Sequence, residues 1–324
     1  MPHLPPWLGA VLLLGGCAGQ PPLDERPGPQ PAPVEIELTT TAFHPQEAYQ
    51  CGPAALATVL DAAGIEVSPA ALTPAVYLPG RRGSLQAELI AAARRHDRLP
   101  YPLPPREAAL IQQLQAGHPV LVLQNLGIAA LPRWHYAVVI GYSSRNSRFI
   151  LRSGTERRKL MDRDLFLRTW RRADRWALVV LPPERLPADP DPQRYLQAVA
   201  ALEATDRIDS ARRAYATATR RWPGLSAAWY GLGNTHYLGA EFAAAEAAYR
   251  RVLELDPASA AAHNNLARAL LGQGCADAAM RVAEAGLRLK GVTPGIREAL
   301  LTTQREIGGG QSGQQECGPR TTDQ

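Results

Sequence analysis

Two residues in this sequence combine the right types for nucleophilic chemistry. Cys51 stands in the run Gln50-Cys51-Gly52-Pro53-Ala54-Ala55-Leu56, and His135 heads the apolar run His135-Tyr136-Ala137-Val138-Val139-Ile140-Gly141-Tyr142. A thiol with a histidine far along the chain is the pattern of a cysteine nucleophile and its general base, because the fold, not sequence proximity, brings such pairs together. Pro53 suits the first turn of a helix, where its missing N–H has no intrahelical partner to lose. Gly64 suits that helix's C-terminal end. Cys51 is therefore expected at a helix N-terminus, where the dipole and free N–H groups favour a thiolate. The competing readings are an inert core thiol, pairing of Cys51 with Cys275 or Cys317, and a His135 that is a satisfied core histidine.

These residues need a scaffold, and the apolar patterning supplies one. Helices are expected over 51–63, 85–95 and 106–116, the last ended by Gly117. Strands are expected over 119–123, 135–142, 148–152 and 176–181, forming an antiparallel sheet. Residues 39–183 thus read as one α+β domain, with the cysteine on its N-terminal helix and the histidine on its sheet.

That order resembles the papain-like cysteine peptidases, and within them the bacteriocin-leader-processing (double-glycine) peptidase-like group. The resemblance is carried by Gln46, the block from Gln50 to Leu56, and Trp134-His135-Tyr136 at the head of a strand. It implies Cys51 as nucleophile, His135 as general base and Gln46 as an oxyanion-hole donor, with Gln50 or His44 as alternatives for that last role. Members of the group carry an Asp or Asn on the next strand to orient the histidine. Here the strand reads Phe149-Ile150-Leu151-Arg152-Ser153-Gly154, and Ser153 falls in that place. A hydroxyl can hold the ring but brings no charge to stabilise imidazolium. Ser153 as orienter, Asp162 or Asp164 reaching in, and an unassisted dyad stay open. No cofactor is implied. His44, His96, His118, His236 and His263 lack His-x3-His or Cys-x2-Cys spacing, so no metal is expected.

The C-terminal third carries a 34-residue period: Tyr195, Trp229 and His263; Ala211, Ala245 and Ala279; Pro223 and Pro257. Small residues at one site let paired helices approach, and aromatics fill the hole opposite. This resembles tetratricopeptide repeats over 190–293, as units 192–225, 226–259 and 260–293. The resemblance implies an all-α domain whose concave face can hold a protein or peptide partner. Asp189-Pro190-Asp191-Pro192 reads as a stiff boundary before an independently folded unit.

The N-terminus has a ten-residue apolar run, 7–16, too short to span a bilayer. With Leu14-Gly15-Gly16-Cys17 it resembles a bacterial lipoprotein signal over 1–16, implying cleavage before Cys17 and acylation of that cysteine. Residues 17–38 then form a Pro-rich tether, and 308–324 a disordered Gly/Gln-rich tail. Ala18 beside Cys17 points to an outer-membrane protein facing the periplasm. Its membrane contact would run through the lipid alone.

The chain has 324 residues, 46% apolar and 20% charged, which excludes a disordered chain and a multi-span membrane protein. The net charge of +5 is spread thinly, with no basic patch interleaved with aromatics, so no nucleic-acid partner is expected. Three functions compete on these grounds. One is a lipid-anchored envelope thiol peptidase acting on a peptide or protein substrate. Another is a pseudopeptidase that binds peptides. The last is a repeat scaffold with the middle domain as spacer. Retention of both Cys51 and His135 favours the first, and Ser153 favours the second.

Overall fold

A run of apolar residues with no polar alternation is the mark of a strand covered on both faces, and the computed structural model places several such strands side by side. The structure describes residues 33–45 and 50–309. Residues 1–32, including Cys17 and most of the expected tether, Gln46, and the tail from 310 lie outside them. The first part of the chain comprises β1 (Glu35–Glu37), α1 (Cys51–Ala62), α2 (Pro69–Val76), α3 (Gln86–Arg95), β2 (Leu99–Pro102), α4 (Glu107–Gln115), β3 (Val120–Asn125), β4 (Trp134–Ser143), β5 (Arg148–Ser153), β6 (Glu156–Asp162), α5 (Arg163–Arg171) and β7 (Ala177–Leu181).

The strands form one antiparallel sheet in the order β2-β7-β3-β4-β5-β6, with β1 pairing the far half of β4. Side chains alternate across it. Tyr136, Val138 and Ile140 pack with Leu56, Leu60 and Leu89 of α1 and α3. Ala137 and Val139 pack with Leu110, Phe166 and Trp170 of α4 and α5. The four expected strands and three expected helices all occur, each within two residues of its expected ends.

Three strands lack that apolar signal, the first being β1, a short Glu-Ile-Glu segment that falls inside the expected tether and pairs with β4. β2 reads Leu99-Pro100-Tyr101-Pro102, and its prolines are tolerated because it is an edge strand with no ladder bond to donate outward. β6, at the other edge, is charged along Glu156-Arg157-Arg158-Lys159, as an exposed edge must be to avoid further pairing.

Six helices then stack as three pairs: α6 (Pro192–Glu203) with α7 (Ile208–Arg221), α8 (Ser226–Leu238) with α9 (Phe242–Leu255), and α10 (Ala260–Gly272) with α11 (Ala276–Arg288). The small-residue logic of the period is visible at Gly233. A Cβ there would lie 2.6 Å from the Tyr249 ring, so the aromatic fills the space that the glycine leaves. A further helix, α12 (Pro294–Gly309), lies beyond the expected repeats and covers the last pair with Leu300, Thr303 and Ile307.

The described residues from Val34 onward form one compact unit. Leu99, Tyr101 and Leu181 of the sheet share a hydrophobic cluster with Tyr195, Val199 and Leu202 of α6 and with Ala211 and Ala214 of α7. The expectation of an independent repeat unit therefore meets a continuous core.

Candidate active site

Helix α1 begins at Cys51, and Gln50 before it makes no side-chain capping bond. The first N–H groups of a helix have no intrahelical partner, so those of Cys51 and Gly52 are left to the site; Pro53 has none to offer. Gly52 is fixed by packing. A Cβ on it would lie 2.2 Å from Ser84 Oγ, so only glycine lets the loop before α3 close over the start of α1. Ser84 Oγ is itself buried with no hydrogen-bond partner among the described residues, and the Ser84 carbonyl accepts from the Tyr136 hydroxyl at 3.2 Å.

The hydrogen-bond parity of β4 explains where the thiol goes. Leu123 of β3 sits opposite Tyr136, but its N–H donates to the Trp176 carbonyl, away from β4. The Leu123–Tyr136 pair is thus a non-hydrogen-bonded one, and the Tyr136 N–H points to the other side of β4. On that side β5 stops at Ser153, one residue past the partner of Val138. The Tyr136 and Gly52 N–H groups there act on the Cys51 sulfur and favour its charged form. Cys51 therefore packs on the Tyr136 face of β4 with Leu56 and Leu60, and among the described residues no hydrogen bond joins its sulfur to His135.

The alternation of β4 puts His135 on the side of Ala137 and Val139, and the same alternation on β5 puts Ser153 there with Phe149 and Leu151. His135 Nε2 lies 2.8 Å from Ser153 Oγ, which is buried. Beside this pair Gln124, directly across from His135, donates to Thr169 Oγ1 at 2.8 Å. The alternative orienters are engaged elsewhere: Asp162 pairs with Arg148 at 3.1 Å and Asp164 with Arg163 at 3.5 Å. His44 has its Nε2 buried without a hydrogen-bond partner among the described residues.

Burial dominates the electrostatics. It pushes the Cys51 thiol above its ordinary range, against the opposing pull of nearby backbone N–H groups. The expected thiolate is thus disfavoured at rest. Burial also pushes His135 down to about 4, helped by the nearby charges of Lys159 and Arg133. The resting site holds a neutral thiol and a neutral imidazole.

A stability consequence follows from the histidine. Its ordinary value is 6.5, so between pH 6.5 and 4 the unfolded chain binds a proton that the folded one refuses. Stability is then full above that window and declines as the pH falls through it. Discounted for partial exposure, the loss is about 2 kcal/mol. Urea midpoints across the window check this: the pH slope is expected to shrink in His135→Gln, and an unchanged slope contradicts the burial account.

The two described cysteines differ in state. Cys51 is free, and Cys275 is disulfide-bonded, which excludes a bond between the two. Among the described residues no group of three or more acidic, His or Cys side chains is arranged to hold a metal, and no helix is long and apolar enough to cross a membrane. Of the residues that sequence reasoning missed, the Tyr136 amide leaves no signal in side-chain types. The Ser84 loop is foreshadowed only by the glycine after Cys51.

Comparison with known proteins agrees with this architecture. Residues 38–177 match the model of the Peptidase_C39 like family, and residues 226–259 match that of the tetratricopeptide repeat. No curated protein matches the chain. Among solved structures, a putative C39-like peptidase from Bacillus anthracis is similar at 17% identity and a TM-score of 0.39, covering 45% of this chain and 97% of its own. The first tetratricopeptide-repeat domain of Spaghetti (RPAP3), bound to an HSP90 peptide, is similar at 14% identity and a TM-score of 0.33, over 36% of this chain and 90% of its own. The Yersinia enterocolitica type III secretion chaperone SycD, in complex with a peptide of the translocator YopD, is similar at 14% and 0.34, over 36% of this chain and 91% of its own. With a Cys-helix laid against a His-bearing antiparallel sheet and stacked helix pairs behind it, the chain is a Peptidase_C39-like domain followed by tetratricopeptide repeats.

Proposed function

We propose that the protein is a thiol peptidase that cleaves a peptide bond through Cys51 and His135. The observation that carries this reading is a free Cys51 at the first turn of α1, packed against β4, the strand whose His135 has its Nε2 held by Ser153 Oγ at 2.8 Å. With Nε2–H donating to Ser153 Oγ, Nδ1 keeps its lone pair for the thiol proton. Because both groups rest neutral, proton transfer accompanies attack instead of preceding it. The sulfur bonds to the substrate carbonyl carbon as its proton passes to Nδ1, and the carbonyl π pair moves to oxygen. Collapse breaks the C–N bond, and Nδ1 returns the proton to the leaving amine. Water then attacks the thioester, giving its proton to Nδ1, and thiolate leaves and is reprotonated. The Cys51 N–H and the Gln46 side chain hold the oxyanion, a contribution of about 3 kcal/mol per donor.

In the same reading Cys17 carries the lipid that anchors the protein in the bacterial envelope, facing the periplasm. The disulfide at Cys275 supports an oxidising compartment. The repeats recruit a protein substrate or partner. Support for that comes from a groove of about 340 Å³ lined by Asn234, Tyr237, Tyr249, Asn265 and Arg268. A second reading, a pseudopeptidase that binds peptides without cutting them, is favoured by the raised thiol and the uncharged Ser153.

Alkylation by iodoacetamide and digestion of a random peptide library, each followed by mass spectrometry, test the proposal. The peptidase reading expects labelling at Cys51 and cleavage products, both lost in Cys51→Ala. Labelling without cleavage supports the pseudopeptidase, and absence of both overturns a reactive thiol. Mass spectrometry of the mature N-terminus tests the anchor, and an unmodified Cys17 overturns it.

A further inference from the structure

The hairpin joining β3 to β4 runs directly into His135, and its surface is unusual. Leu126, Ile128, Leu131 and Trp134 are four of the eight large apolar side chains that stand exposed among the described residues, with Leu131 74% and Trp134 55% accessible. Scattered exposed apolar residues need no explanation, but a cluster at one site does. The loop is built to present them. Asn125 Oδ1 accepts the N–H of Gly127 and of Arg133, each at 2.9 Å, and the Leu126 N–H donates to the Arg133 carbonyl at 2.9 Å. Arg172 of the sheet domain donates to the Gly127 carbonyl, tying the tip back to the body.

The position of the loop says what meets it. By the alternation of β4, Trp134 stands on the Tyr136 face, which α1 covers and against which Cys51 packs. The apolar surface is therefore continuous with the site. His135 is the group that must protonate the leaving amine, so a loop joined to His135 flanks the part of the substrate that leaves. Arg133 stands on the loop itself, held by its N–H to Asn125 Oδ1 at 2.9 Å, so a basic substrate residue meets like charge there.

Resting on the peptidase-fold reading of the Cys51–His135 site, we propose that the 126–134 hairpin is a specificity wall that selects a bulky apolar residue, and rejects a basic one, on the leaving side of the substrate peptide. Burial of one such side chain against this wall favours it over a small or basic residue by about tenfold or more.

The test uses the full chain. Affinity selection from a random peptide library with the Cys51→Ala protein reads binding alone, and library digestion with the Cys51 protein reads cleavage. Expected are enrichment of Leu, Ile, Phe or Trp in the selected peptides and a preference for the same residues just after the cut. Both are expected to fall about tenfold in Leu131→Ser and in the double variant Leu131→Ser/Trp134→Ser. These side chains are exposed, and circular dichroism verifies that the variants stay folded. Apolar enrichment without any cleavage supports the wall while removing the enzyme reading. Cleavage with no apolar preference, or a preference indifferent to the variants, overturns the wall and leaves the enzyme. Selection of no peptide with no cleavage overturns the wall. So does binding to phosphatidylethanolamine/phosphatidylglycerol vesicles that the same variants abolish in the absence of peptide selection, which would make the loop a lipid-contacting one.

Discussion

Replacing His135 by glutamine is expected to lower peptide-bond cleavage by about a thousandfold, the usual worth of a positioned general base. Glutamine is close to imidazole in reach and can still donate to Ser153 Oγ, so the change removes proton transfer and little else. The neutral resting pair makes the effect large. If the thiol were already ionised, the histidine would matter mainly for the leaving group. Here burial holds Cys51 protonated, and attack needs a base at the moment of bond formation. The pH profile carries the same information. His135 loses its proton at about 4, so kcat/KM is expected to keep its acidic limb near that value and to stay high through neutral pH. Ser153→Ala is expected to cost only about tenfold, in keeping with one uncharged hydrogen bond. Ser153→Asp places a carboxylate beside the ring and is expected to move the acidic limb upward, because it favours imidazolium. The measurement is kcat/KM against pH on one library-derived peptide. A His135→Gln protein that cleaves at the original rate removes His135 from the chemistry.

Much of this arrangement is legible in the sequence. The Gln50–Leu56 block announces a helix start because Pro53 and Gly64 act locally, through φ and the missing N–H. The strands announce themselves because both faces of the sheet are covered, which makes β3 and β4 continuous apolar runs. The 34-residue period is readable because each repeat solves the same packing problem, as Gly233 and Tyr249 show. What stays hidden depends on partners far along the chain. The charged β6 and proline-bearing β2 are strands by pairing, not by propensity. The expectation of a thiolate fails because a helix end is a local feature whereas burial is a global one, and burial outweighs it. Arg152, fully inside, donates to the carbonyls of Thr39 and Thr41 at 3.3 and 2.8 Å and so pins the segment leading toward Gln46; nothing in its sequence neighbourhood marks it as buried.

The boundary between sheet and repeats is the other place where a local signal misleads, and it carries the second large effect. Asp189-Pro190-Asp191-Pro192 breaks the chain's regular structure, but the side chains on either side of it close over one core. Tyr195, fully buried on α6, lies at the junction. Its ring meets Trp222 edge-on at 5.6 Å, and its hydroxyl donates to the Ala214 carbonyl at 3.3 Å. Tyr195→Ala would leave a cavity the size of a ring between the sheet and the first helix pair, a loss of about 4 kcal/mol. For a protein of this size that lowers Tm by roughly 6 °C. Because the cluster runs from Leu99 and Tyr101 through Val199 to Ala214, the loss is expected in one transition, seen alike in helical circular dichroism and in amide hydrogen exchange of β3 and β4. Ile307→Ala provides the contrast. Ile307 belongs to a separate cluster around Tyr249, Leu266 and Leu270, so its loss is expected to loosen the last helices while the β3 and β4 amides stay protected. If Tyr195→Ala melts the helices and leaves the β3 and β4 amides protected, the core is continuous in contact but not in cooperativity. If the transitions coincide, whatever binds the folded repeats also stabilises the sheet that holds Cys51 and His135, by mass action and without touching either residue.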